Sequence, residues 1–183
     1  AVAQGWPEDS DTLSLLRDRV ANDEDGPVRQ AAVEAVARGW PEDSDTLSLL
    51  RDRVANDEDG PVRQAAVQAV AQGWPEDSDT LSLLRDRVAN DENWAVRRAA
   101  VQAVAQGWPE DSDTLSLLRD RAVNDEDGPV RRAAVQAVAQ GWPEDSDTLS
   151  LLRDRVANDE NEDVRRAAVQ AVAQGWPNDH GLT

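Results

Sequence analysis

Apolar residues recur along the chain in two alternating helical patterns. In the first, Leu13, Leu16 and Val20 fall together when residues are placed at about 100° steps. Thr12 and Leu15 widen that arc, and Asp11, Ser14, Asp18 and Asn22 share the opposite side. In the second, Val28, Ala32, Ala35, Val36 and Trp40 form the apolar arc, and Gln30, Glu34 and Arg38 form an outward stripe. These patterns predict helices over about 10–21 and 26–39. Asn22-Asp23-Glu24-Asp25-Gly26-Pro27 between them reads as a turn. Asp25 is placed to cap the second helix, whose first turn tolerates Pro27. Gly5, Trp6 and Pro7 close the preceding helix, Asp9 caps the next, and Asp11 adds a carboxylate to its first turn.

The pair of patterns repeats every 34 residues. Trp6, Trp40, Trp74, Trp108, Trp142 and Trp176 mark the period, each preceded by Gly and followed by Pro. Such a period is the signature of stacked repeats, because one helical pair cannot bury both of its apolar arcs alone. Five full periods and a trailing half-unit predict one continuous core with no linker, hence a single domain over 1–183. The chain enters the period in mid-unit, and the pattern decays from Asn178 to Thr183, as expected of a piece of a longer array. The first six residues should present half a unit's apolar surface, predicting fraying or end-to-end contact.

One residue of the second helix breaks the apolar pattern. Arg29 lies beside Val36 and Trp40 on the wheel, and a guanidinium buried there must be paired and hydrogen-bonded. Asp23 in the preceding turn, or its copy in the next unit, is the natural acceptor. This predicts a structural ladder of Arg29, Arg63, Arg97, Arg131 and Arg165 with Asp23, Asp57, Asp91, Asp125 and Asp159.

The segment Asp23-Glu24-Asp25-Gly26-Pro27-Val28-Arg29 before an Ala-rich helix resembles HEAT repeats. The Leu13-Ser14-Leu15-Leu16-Arg17-Asp18 segment is similar to that family's second helix. The resemblance spans the whole chain. It implies an all-α fold, an α-solenoid in which antiparallel helix pairs stack into a right-handed superhelix. It also implies a structural Asp–Arg ladder, a concave side lined by the helices bearing Asp11 and Asp18, and a protein-binding role. The 34-residue period equals that of tetratricopeptide repeats. That family, however, requires a Gly and a Tyr after its Trp and then a Phe; here Pro follows Trp, and Tyr and Phe are absent.

Charge then narrows the partner. The net charge is −18 and the pI near 4.3, which repels phosphate backbones and favours a basic peptide or protein. Every cation is Arg apart from the single histidine, His180. With no Cys there is no disulfide, thiolate ligand or thiol nucleophile. The lone histidine supplies no recurring triad, and no Gly-rich phosphate loop is present. Asp23, Asp25 and Gly26 resemble part of a calcium loop, but the end ligand positions fall on Ala21 and Ala32. No cofactor and no reaction are indicated; the chain reads as a non-enzymatic cytoplasmic scaffold, or else as a ligand-free spacer, natural or engineered. No apolar run is long enough to span a membrane. The candidate binding surface is an acidic strip made of Asp11, Asp18, Asp45, Asp52, Asp79, Asp86, Asp113, Asp120, Asp147 and Asp154. Trp94, which replaces the Gly of Gly-Pro in one unit, is a candidate anchor for a partner.

Overall fold

The computed structural model describes residues 10–177, and Ala1–Trp6, Asp9 and His180 lie outside them. The chain divides into two compact units, Ala1–Ala103 and Val104–Thr183, whose boundary falls inside one helix. All regular structure among the described residues is helical.

The first unit contains α1 (Ser10–Asn22), α2 (Gly26–Gly39), α3 (Thr46–Asn56), α4 (Gly60–Gly73), α5 (Thr80–Asn90) and the start of α6 (Trp94–Gly107). The second contains the end of α6 and α7 (Thr114–Asn124), α8 (Gly128–Gly141), α9 (Thr148–Asn158) and α10 (Glu162–Gly175). Each Leu-bearing helix packs on the Ala-rich helix that follows it, as α1 on α2, α3 on α4, α7 on α8 and α9 on α10. The Ala-rich helices also pack side by side, α2 with α4 and α8 with α10. Alanine side chains permit that close approach. The core between them is made by Leu50, Val54, Val62, Val67 and Val70 in the first unit. Leu118, Val130, Val135, Val138 and Leu152 make it in the second. Trp40 is buried, whereas Trp74, Trp108, Trp142 and Trp176 are partly buried.

Three local details differ from the sequence reading. First, α3, α5, α7 and α9 begin at threonine, two residues later than the equivalent of Ser10. The Asp43 carboxylate accepts the Asp45 N–H at 3.0 Å, and the Asp43 carbonyl accepts the Thr46 N–H at 3.1 Å. A side-chain turn therefore holds these two residues out of the helix. Second, Asp25, Asp59 and Asp127 make no capping bond, while Asn93 accepts from the Ala95 N–H and Asn161 from the Asp163 N–H. Pro27, Pro61 and Pro129 occupy the positions of Ala95 and Asp163 and have no N–H to offer. Third, no glycine has a positive φ among the described residues, so Gly39 and its counterparts end their helices without a left-handed cap. At Gly26, Gly60 and Gly128 the next repeat's turn takes the space of a Cβ, whereas Trp94 fills the same position in α6. A Cβ on Gly26 would lie 1.9 Å from Asp59 Oδ2, because the next repeat's turn presses against it.

Where the other repeats read Val-Ala near the end of the first helix, α7 reads Ala122-Val123. Ala122 takes the core position filled by Val54 and Val88, and Val123 is exposed. The second unit thus lacks two buried methyl groups. Exchanging them, Ala122→Val with Val123→Ala, should stabilise that unit by about 1–2 kcal/mol. Hydrogen exchange of the α7–α8 amides reads this; unchanged or faster exchange would show that the site has already collapsed around Ala122.

Candidate functional site

The best-defined polar constellation joins successive repeats. Arg29, on the first turn of α2, is buried and donates from Nε and Nη2 to both carboxylate oxygens of Asp57, each at 3.0 Å. Its Nη1 donates to the carbonyls of Asp23 and Glu24 at 2.8 and 3.1 Å. Of the two acceptors open in the sequence, the carboxylate is therefore that of the next repeat, while the arginine's own turn contributes carbonyls. Arg63 grips Asp91 in the same way at 3.0 and 2.9 Å, and Arg131 grips Asp159 at 3.0 Å twice. The Asp57, Asp91 and Asp159 side chains are each only 1% exposed. Arg97 and Asp125 are also buried. Arg165 keeps the two carbonyl bonds, to Asp159 and Glu160 at 2.7 and 2.9 Å. Asp23 accepts from Arg19 and from the Asp25 N–H, each at 3.1 Å.

Electrostatics agree with the geometry. The hydrogen bonds that Arg29, Arg63 and Arg131 donate to Asp57, Asp91 and Asp159 raise the pKa of these arginines against the opposing pull of burial. At Asp159 burial opposes ionisation, yet hydrogen bonds from Arg131 and the Asn161 N–H bring the carboxyl below its ordinary value. These arginines have their donors occupied by the protein.

A second inter-repeat bridge was not anticipated. Arg17 on α1 pairs with Asp43, in the turn that leads into α3, and Arg51 pairs likewise with Asp77. Arg119 pairs with Asp145 in the second unit. Arg17 stands beside Leu13 at the edge of its apolar arc on the wheel, a weaker signal than the one that singled out Arg29. The Asp45, Asp79 and Asp147 carboxylates, 3.8–3.9 Å from the same guanidinium groups, are largely exposed. Asp11 and Asp113 are exposed as well.

The remaining strip residues are exposed but locally answered. Asp52 accepts from Arg53 and from Asn56, which lowers its pKa, Arg53 contributing more. Asp86, Asp120 and Asp154 repeat that arrangement, and at Asp18 the Asn22 bond leads, followed by Arg19. Still more exposed carboxylates lie in the turns. Glu58, Glu92 and Glu160, in the turns before the second helices, have side chains 83%, 87% and 85% exposed. Sequence reasoning passed over them because nothing in helical periodicity marks a turn residue. Between two such turns lies a shallow slot of about 250 Å³, whose border mixes the acids Asp23, Glu24, Asp57 and Glu58 with Arg29 and Arg53. Trp94 is 41% exposed, and the Arg98 guanidinium stacks 5.3 Å from its ring centre, covering part of it.

The HEAT-repeat family model matches residues 2–71 and 81–173. The chain belongs to the HEAT-repeat family. No curated protein and no solved structure matches it. Members of this family are commonly protein-interaction scaffolds and generally not catalytic. Among the described residues no helix is long and apolar enough to cross a membrane, and no cluster of His, Cys, Asp or Glu is arranged to hold a metal ion.

Two measurements test the ladder of these HEAT repeats. Asp57→Ala strips buried Arg29 of its two-bond partner, leaving only the Asp59 oxygen, and should cost about 3 kcal/mol, read by urea denaturation. The exposed change Asp52→Asn should cost much less, and equal losses would remove the ladder's special standing. The depressed carboxyls Asp52, Asp77, Asp86, Asp120, Asp145, Asp154 and Asp159 add a pH dependence. Their contribution is complete above the ordinary carboxyl value of 3.8 and is lost as pH falls through their lower folded values. The melting temperature should therefore drop below about pH 4. Melting that ignores pH between about 4 and 2 would contradict this.

Proposed function

We propose that this HEAT-repeat array is a non-enzymatic scaffold that binds a basic peptide or protein segment, with carboxylates of successive repeats receiving Arg or Lys side chains. The observation that supports it best is the row of highly exposed glutamates at the turn edge, Glu58 and Glu92 in one unit and Glu160 in the other. The net charge of −18 draws such a partner in and disfavours nucleic acid. The exposed strip residues Asp11, Asp45, Asp79, Asp113 and Asp147 add to the same field. Trp94 offers an anchor for an apolar or aromatic residue of that partner.

A second reading is that the array is a ligand-free spacer. It is favoured by the pairing of Asp18, Asp52, Asp86, Asp120 and Asp154 with neighbouring Arg and Asn side chains. Titration with an Arg-rich peptide at rising salt separates the two. Scaffold binding should weaken steeply with salt. It should weaken further in Glu24→Gln/Glu58→Gln/Glu92→Gln than in Asp18→Asn/Asp52→Asn/Asp86→Asn. Undetectable or salt-indifferent binding would leave the spacer.

A further inference from the structure

The Ala-rich helices carry one face that differs from the rest of this acidic surface. On α8 it reads Arg132, Gln136 and Gln140, and on α10 Arg166, Gln170 and Gln174, each set at i, i+4, i+8. Between the two rows lies a groove of about 400 Å³, lined by the four glutamines and by short side chains such as Ala139 and Ala171. Although 31% of the chain's residues are charged, no charged side chain lines this groove. The same face is exposed on α4 at Gln68 and Gln72 and on α6 at Gln102 and Gln106, so it belongs to the repeat and not to α10 alone.

Chemistry, spacing and charge select a ligand for it. The Gln136, Gln140, Gln170 and Gln174 carboxamides have no hydrogen-bond partner among the described residues. Each offers a donor and an acceptor, which is what a main-chain peptide group complements. Packed helix axes lie about 8–10 Å apart, and a peptide in the polyproline II conformation repeats every three residues, over about 9 Å. Such a peptide, crossing the helices, presents an equivalent main-chain group to each row. Neither row contains an acid. Arg132 is exposed and meets no carboxylate among the described residues, whereas Arg166 is held by Asp163 at 2.9 Å. No aromatic ring lines the groove for a sugar to stack on.

We propose that the groove between α8 and α10 binds an extended, mostly uncharged peptide segment of a partner protein. The glutamines donate to its carbonyls and accept from its N–H groups, and Arg132 receives one acidic side chain. Because the main chain is what is read, the peptide's sequence matters little apart from that acid. This ligand is unlike the basic segment drawn to the turn edge, and it occupies a different face of the repeats.

Titration of the 183-residue chain, followed by the NMR shifts of its backbone amides, tests this. The probe is an acetylated and amidated peptide of about twelve Ser, Ala and Gln residues with one central Asp, long enough to cross both rows. The α8 and α10 amides should shift and saturate. Gln136→Ala/Gln170→Ala, which alters only surface side chains, should weaken binding about tenfold. The Asp peptide should bind up to about fivefold more tightly than its Asn counterpart, and Arg132→Gln should remove that preference. Glu58→Gln should change nothing, which separates this groove from the turn edge. Absence of a saturable shift overturns the proposal, as does undiminished binding by the glutamine variant. Equal affinity for a peptide methylated on its main-chain nitrogens also overturns it, and so does saturation by cellohexaose in place of the peptide.

Discussion

A guanidinium taken out of water must have its charge and its five donors answered, and in this protein the answer comes from two repeats at once. Carbonyls of the preceding turn hold Nη1, and the carboxylate of the following repeat holds Nε and Nη2. Neither repeat satisfies the arginine alone. The pairing therefore fixes the register in which repeat meets repeat, a role that apolar contacts between Ala and Val surfaces do not fill, since such contacts are non-directional. Other features follow from that register. At Gly26 the Asp59 side chain takes the space a Cβ would fill, and that side chain gives its oxygen to Arg29 instead of capping its own helix.

The same economy shapes the surface. An array with a net charge of −18 must keep many carboxylates in water, and the helix faces do so with a local arginine and asparagine for each. The turn edge lacks that density of compensation. Its glutamates sit 3.3–3.6 Å from the ladder arginines yet remain largely solvent-facing. A surface of this kind has a field that reaches outward, the feature on which the proposed binding of basic segments rests.

Much of this was legible in the sequence. The period, the two helices per repeat and the family resemblance follow from Trp40 and its copies, and from apolar spacing. Arg29 declared itself by lying on the wrong face of an amphipathic helix. What escaped is equally physical. Arg17 lies at the margin of its apolar arc and is half-buried, so it does not stand out as a charge in the core. Its bridge to Asp43 depends on how the next repeat is placed. Asp25 reads as a cap by residue type, but a cap needs a donor, and Pro27 removes it. Glu58 gains its prominence from the outward lean of a turn, which carries no periodicity to read.

The reach of the bonds has a consequence for how the molecule forms. The Arg29–Asp57 and Arg29–Asp59 contacts join residues 28 and 30 apart in a chain of 183. Other long connections, such as Arg17 to Asp43, span 26. A contact map this local has a low relative contact order, so little loop entropy is spent before native contacts begin to repay it. Order can start at any adjacent pair of repeats and spread outward, and a chain emerging from a ribosome need not wait for its far end.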